Sequence, residues 1–176
     1  MRTLHFLSIF WLSISLSANP PVLNNASITH PEVGLEGMVV TQHYLASEVG
    51  EAILSKGGNA YDATIAVAFA LAVVLPRAGN IGGGGFTVLY NSSDESFQSL
   101  DYREKAPLAA SKNMYLDKNG DVISNLSTLG YKAIAVPGTV DGMWELHKRY
   151  GSMNWKELIL PAIKLAKEGF RVSPLM

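Results

Sequence analysis

The sequence predicts an α+β protein in which helices layer on an antiparallel sheet. Two apolar runs, Phe86–Tyr90 and Phe97–Leu100, flank the turn-forming Asn91-Ser92-Ser93-Asp94-Glu95 and read as a hairpin. Stretches with apolar residues at helical spacing lie before and after that hairpin, and none alternates with single strands. Helices segregated from an antiparallel sheet give layers of α on β, whereas a βαβ alternation would give a parallel sheet.

The chain opens with Arg2 and His5, then an apolar run from Phe6 to Leu16 broken only by serines. Ser15-Leu16-Ser17 follows as a small-x-small site, so residues 1–17 read as a secretory signal peptide with Ala18 as the first mature residue. The run is shorter than the ~20 residues of a membrane span. Residues 18–34 are polar and proline-containing, and are expected to be a disordered lead-in to a globular part over residues 35–176.

Gly37–Thr41 is expected to form a short strand. Leu45, Val49, Ala52 and Ile53 then share one helical face, and Gly57-Gly58 supplies the left-handed residue that ends a helix. Asn59 caps a second helix with Asp62 at the third position, a capping box. That helix, Ala60 to about Leu75, is alanine-rich and apolar nearly all round, so it is expected to be buried; Pro76 stops it. After the hairpin, Met114–Asp121 reads as a hydrophilic loop or hairpin with Asn119-Gly120 as its tight turn. Ser124–Tyr131 is irregular, and Ala133–Val136 is expected to be a short buried run. Pro137-Gly138-Thr139 opens a helix with Val140, Met143, Trp144 and His147 on one face, closed by Gly151. The last helix begins at Asn154 and carries Trp155, Leu158, Ile159, Ala162, Ile163 and Ala166 as its apolar stripe. Pro161 is expected to kink or split it, and Gly169 to end it. The hairpin alone has too few strands to cover both long helices.

Composition narrows the function. The 176 residues are 48% hydrophobic and 16% charged, with a net charge of -1, which permits a core and argues against a nucleic-acid partner. The absence of cysteine excludes thiol catalysis and cysteine-ligated metal within this stretch. His5, His30, His43 and His147 show no metal-ligand spacing, and no G-x-S-x-G elbow occurs.

Two motifs remain. Gly82-Gly83-Gly84-Gly85 is followed by Phe86, so it lacks the lysine and hydroxyl of a P-loop, and a strand follows it where a dinucleotide fingerprint needs a helix. Four glycines in a row are costly in a regular element and fit a close backbone approach. The expected approach is between the Ala60–Leu75 helix and the Phe86–Tyr90 strand. Asp101-Tyr102-Arg103-Glu104 ends the hairpin, and a guanidinium there can take a substrate carboxylate through two parallel hydrogen bonds. Arg103 is therefore the candidate binding residue.

Five segments stand together in one order: Gly37-Met38-Val39-Val40-Thr41, Lys56-Gly57-Gly58-Asn59-Ala60-Tyr61-Asp62-Ala63, Gly79-Asn80-Ile81-Gly82-Gly83-Gly84-Gly85-Phe86, Asp101-Tyr102-Arg103-Glu104-Lys105-Ala106-Pro107 and Val136-Pro137-Gly138-Thr139-Val140. Their order and spacing, with the terminal Pro161–Phe170 string, resemble the start of the large subunit of γ-glutamyltransferases, also called γ-glutamyltranspeptidases or glutathione hydrolases. The resemblance implies an N-terminal-nucleophile hydrolase fold, a four-layer αββα sandwich that this chain supplies only in part. It implies a precursor that cuts itself into two subunits, the small one starting with the threonine nucleophile. It implies a γ-glutamyl donor such as glutathione, with Arg103 on the donor α-carboxylate, and transfer of the γ-glutamyl group to water, an amino acid or a peptide.

The family chain is several times longer, and Thr41, Thr64, Thr87, Thr128 and Thr139 lack its nucleophile context. The chain is therefore expected to be an N-terminal fragment with no catalytic residue of its own, inactive alone, exported to a bacterial periplasm or the exterior, and partnered by the small subunit. No cofactor, metal or nucleic acid is expected. A cephalosporin-acylase-like amidase of the same superfamily and a non-catalytic binding fragment are the alternatives.

Overall fold

Local chemistry sets where each helix begins. In the computed structural model, which describes residues 33–172, His43 caps the first helix, α1 (Tyr44–Ser55), by accepting the Leu45 amide on Nδ1 at 3.3 Å. The expected signal peptide at 1–17 and residues 18–32 of the lead-in lie outside the described residues. Gly57 ends α1 at φ +88° with open space where a side chain would stand. Gly57→Ala is expected to lower stability by about 1 kcal/mol through backbone strain alone, seen as a shift of the urea midpoint with an unchanged slope.

The second helix, α2 (Ala60–Val74), starts with the capping box read from sequence. Asn59 Oδ1 accepts the amides of Tyr61 and Asp62 at 2.9 and 3.0 Å, while Asp62 accepts the Asn59 amide at 3.0 Å. Ile65, Ala66, Phe69, Ala70 and Val74 of α2 are buried, and the helix packs on α1 and on the two later helices, α3 (Thr139–Tyr150) and α4 (Trp155–Glu168). Small residues permit the close approach of α1: a Cβ on Gly50 would lie 2.8 Å from a Val67 methyl. Burying Ile65, Met143, Leu146 and Leu158 fully contributes roughly 1.5–3 kcal/mol each before entropy is counted.

The hairpin forms as expected. Strands β1 (Phe86–Asn91) and β2 (Ser96–Asp101) pair antiparallel, with Phe86 opposite Asp101 and Tyr90 opposite Phe97. Leu89 and Leu100 face the core, while Phe86, Val88, Tyr90 and Phe97 form an exposed outer face. This is the one sheet among the described residues. Asp117 accepts the amides of Asn119 and Asp121 at 2.8 and 3.0 Å, and Gly120 takes φ +89°, so the expected tight turn is present.

Five expectations are corrected. Gly37–Thr41 forms no strand, because no described strand lies beside it; Val39 instead covers α1, with a methyl 2.7 Å from where a Gly50 Cβ would be. Ala133–Val136 is not a buried run: Ile134 and Val136 are exposed, and Val136 only bridges to Lys105. The buried face of α3 is Thr139, Gly142, Met143 and Leu146, whereas Val140 and Trp144 are exposed, because Gly142 turns toward the end of the hairpin. Ala52 of α1 and both Ile163 and Ala166 of α4 are likewise exposed. Pro161 does not split α4, which runs as one helix held on α2 by buried Leu158 and Ala162. No helix among the described residues is long and apolar enough to cross a membrane.

Candidate functional site

Arg103 sits just past the end of β2, and the chain is bent there by its own sequence. The Asp101 carboxylate accepts the Arg103 amide at 2.9 Å, a local turn that aspartate forms readily. Tyr102 adds one more ladder bond, its amide donating to Gly85 O at 3.1 Å. Beyond Arg103, Lys105 and Val136 exchange two backbone bonds of 3.2 and 2.8 Å. The arginine is thus held between a strand end and an isolated bridge.

Glycines wall this segment on both sides. A Cβ on Gly84 would lie 2.6 Å from the Tyr102 carbonyl oxygen and 2.8 Å from Arg103 Cα. A Cβ on Gly138 would lie 2.0 Å from that same carbonyl oxygen. Backbone cannot move aside as a flexible side-chain tip can, so these positions accept only glycine. The expectation that the glycine run packs against α2 is therefore corrected: its partner is Tyr102–Glu104. The close approach to α2 is made earlier, by Gly79, whose Cβ would lie 2.1 Å from Leu71 O.

The same run is tied to the start of α3. Gly83 O accepts the amides of Gly138 and Thr139 at 2.8 and 3.1 Å. Asn80 Oδ1 accepts both the Gly83 amide at 2.9 Å and the Thr139 hydroxyl at 2.6 Å. Asn80, Gly138 and Thr139 were not singled out by sequence as site-building residues. Their signal was weak, because the bonds from Gly138 and Thr139 to Gly83 and Asn80 join segments distant in the chain.

Arg103 is exposed, lines a cavity of about 270 Å³ together with Asp101, Asp141 and Glu145, and has no ion pair among the described residues. Glu145 does not compete for it. Lys148 and Arg149 hold the Glu145 carboxylate at 2.5 and 2.8 Å, and their hydrogen bonds, Lys148 first, keep it below the ordinary glutamate range. Arg103 therefore presents an exposed planar fork of donors with no ion pair among the described residues, suited to an external carboxylate.

The five described threonines each use the hydroxyl in a local contact: Thr41 with His43 and Ser47, Thr64 with Ala60 O, Thr87 with Tyr102, Thr128 with Asn125 O, and Thr139 with Asn80. Among the described residues, no three His, Asp or Glu side chains gather as a metal-binding group.

An N-terminal-nucleophile hydrolase of α+β class is the kind of protein to which this helix layer and hairpin correspond. The family model described as gamma-glutamyltranspeptidase matches residues 46–176. The chain is 56% identical over 137 residues to the glutathione hydrolase proenzyme of Pseudomonas aeruginosa, a stretch of 78% of this chain and 24% of that protein. The crystal structure of Helicobacter pylori gamma-glutamyltranspeptidase matches with a TM-score of 0.76 at 51% identity, over 82% of this chain and 41% of that one. Gamma-glutamyltranspeptidase from Pseudomonas nitroreducens matches with a TM-score of 0.74 at 52% identity, over 81% and 42% of the two chains. This chain belongs to the γ-glutamyltranspeptidase family. It spans about a quarter of the length of the curated relatives it matches.

Proposed function

We propose that this chain supplies the donor-anchoring part of an exported γ-glutamyltransferase, with Arg103 binding the α-carboxylate of a γ-glutamyl donor such as glutathione. The observation that carries the reading is the unpaired guanidinium at a strand end whose backbone is walled by Gly84 and Gly138. Such walls fix where the fork stands before the ligand arrives, which lowers the ordering cost of binding.

The chemistry is acyl transfer. The small subunit of the same precursor, outside this chain, brings the N-terminal threonine. Its hydroxyl oxygen attacks the γ-amide carbonyl while its α-amine takes the hydroxyl proton, then returns it to the departing amine. Water, an amino acid or a peptide then accepts the γ-glutamyl group from the acyl-enzyme. In this scheme Arg103 touches a carboxylate three carbons from the reacting carbonyl, so it anchors and orients the donor and takes no part in proton transfer.

The test compares glutathione with a glutaryl amide on the complete, self-processed precursor. The two acyl groups share the terminal carboxylate and differ by the α-ammonium. Release of glutamate from glutathione with little hydrolysis of the glutaryl amide is expected. The reverse preference would make the protein a cephalosporin-acylase-like amidase, and hydrolysis of neither would make it a binding protein.

A further inference from the structure

We infer that Tyr102 is a positioning residue for Arg103, and that Gly142 is a glycine so that the Tyr102 ring can seat against α3. Gly142 is buried in the interior of α3, where glycine is a poor helix former. A Cβ there would lie 2.2 Å from Tyr102 Cγ, 2.5 Å from its Cβ and 2.7 Å from its Cδ1. These atoms are the root of the side chain. The Cβ is fixed to the backbone and cannot swing clear by a rotamer change, so Tyr102 Cα would have to move.

The rest of the ring is held as well. A Cβ on Gly85 would come within 2.9 Å of Tyr102 Cε2 and 3.0 Å of its hydroxyl oxygen. The Thr87 hydroxyl donates to that oxygen at 3.2 Å. Gly84 and Gly138 confine the Tyr102 carbonyl on either side. Tyr102 and Arg103 share one peptide plane, so a shift at the ring root becomes a shift of the arginine Cα. Displacements of this kind, on the scale of an ångström, weaken oriented binding strongly even without a lost contact.

This inference rests on the reading of Arg103 as the donor anchor, and the experiment separates the two. KM for glutathione and kcat are measured in the complete, self-processed precursor for Gly142→Ala, Tyr102→Leu, Tyr102→Gly and the double variant of Tyr102→Gly with Gly142→Ala. Gly142→Ala is expected to raise KM about tenfold while kcat falls less than about threefold. In the Tyr102→Gly background, where neither a Cβ nor a Cγ meets the new methyl, the same change is expected to move KM less than about twofold. Tyr102→Leu alone is expected to raise KM about fivefold, which keeps the inference testable if Gly142→Ala does not fold.

Gly50→Ala is the packing control, because a Cβ there meets methyls of Val39, in the segment before α1, and of Val67 on α2, and neither residue lines the Arg103 cavity. It is expected to lower Tm with KM unchanged, since KM does not depend on how much enzyme is folded. Unchanged KM in Gly142→Ala or in Tyr102→Leu, with only a lower Tm, would overturn the inference, as would an equal KM rise from Gly142→Ala in both backgrounds. Arg103→Lys is run beside them. If it leaves KM unaltered, the anchor reading itself fails; if it raises KM while the other variants do not, only the positioning role fails.

Discussion

Asp62→Ala is expected to cost about 3–5 kcal/mol of folding stability and to lower Tm by roughly 10 °C. The side chain is fully buried. Its carboxylate closes the capping box of α2 at the Asn59 amide and also reaches across the fold. It accepts the Ser152 amide at 3.1 Å, the Ser152 hydroxyl at 2.5 Å and the Met153 amide at 3.3 Å. Beside it, Asn59 Nδ2 donates to Tyr150 O at 2.8 Å. One helix start therefore clasps the joint between α3 and α4. Removing the carboxylate leaves three backbone amides without their partner at a part-buried junction, and each unsatisfied donor costs about 1–3 kcal/mol. Chemical denaturation measures the loss; a change under about 1 kcal/mol would show that water replaces the carboxylate.

The same clasp predicts an acid-sensitive term. Burial pushes the Asp62 carboxyl up, but the Ser152 hydroxyl and the amides of Asn59, Met153 and Ser152 outweigh it, so the group lies below the ordinary aspartate value. The unfolded chain then binds the proton more readily than the folded one. The stability from ionised Asp62 is complete above about pH 4, the unfolded value, and is lost as the pH falls through the lower folded value. Asp62→Asn tests the sign: the gap between it and the parent protein should be widest at neutral pH and close below that window.

The contrast between Asp62 and its partners shows what a single sequence reveals. The Asn59–Asp62 box was legible because both residues lie within one turn and the cap has a fixed spacing. The link to Ser152 was not, because its partners are 90 residues apart and no local pattern marks them. The hairpin was legible because its turn chemistry sits between two alternating runs. Gly37–Thr41 misled because an apolar run becomes a strand only beside another strand. The face of α3 was misplaced because glycine adds nothing to an apolar stripe, yet Gly142 is the residue that decides how the helix turns toward Tyr102. A glycine in a helix interior was the available signal of close contact. The place of Arg103 at a strand end was legible because its neighbours are local; the glycine walls beside it come from two distant segments.

Arg103→Lys is expected to raise KM for glutathione about 10–100-fold with kcat nearly unchanged. Lysine keeps the charge but presents a single ammonium where the guanidinium presents two parallel donors. Losing one charge-assisted hydrogen bond of the pair costs about 1.5–3 kcal/mol, which is the stated range in KM. The α-carboxylate keeps its distance from the γ-carbonyl throughout the reaction, so the contact is the same in the ground and transition states. Such uniform binding appears in KM and leaves kcat alone. A 4-aminobutanoyl amide, which keeps the ammonium but has hydrogen in place of the α-carboxylate, completes the argument. The parent enzyme should bind it poorly, and Arg103→Lys should bind it no worse. If the lysine variant loses as much affinity for this truncated donor as for glutathione, Arg103 supports the fold of the site and does not read the carboxylate. If the loss is confined to glutathione, the guanidinium at the end of β2 is the group that selects an α-carboxylate.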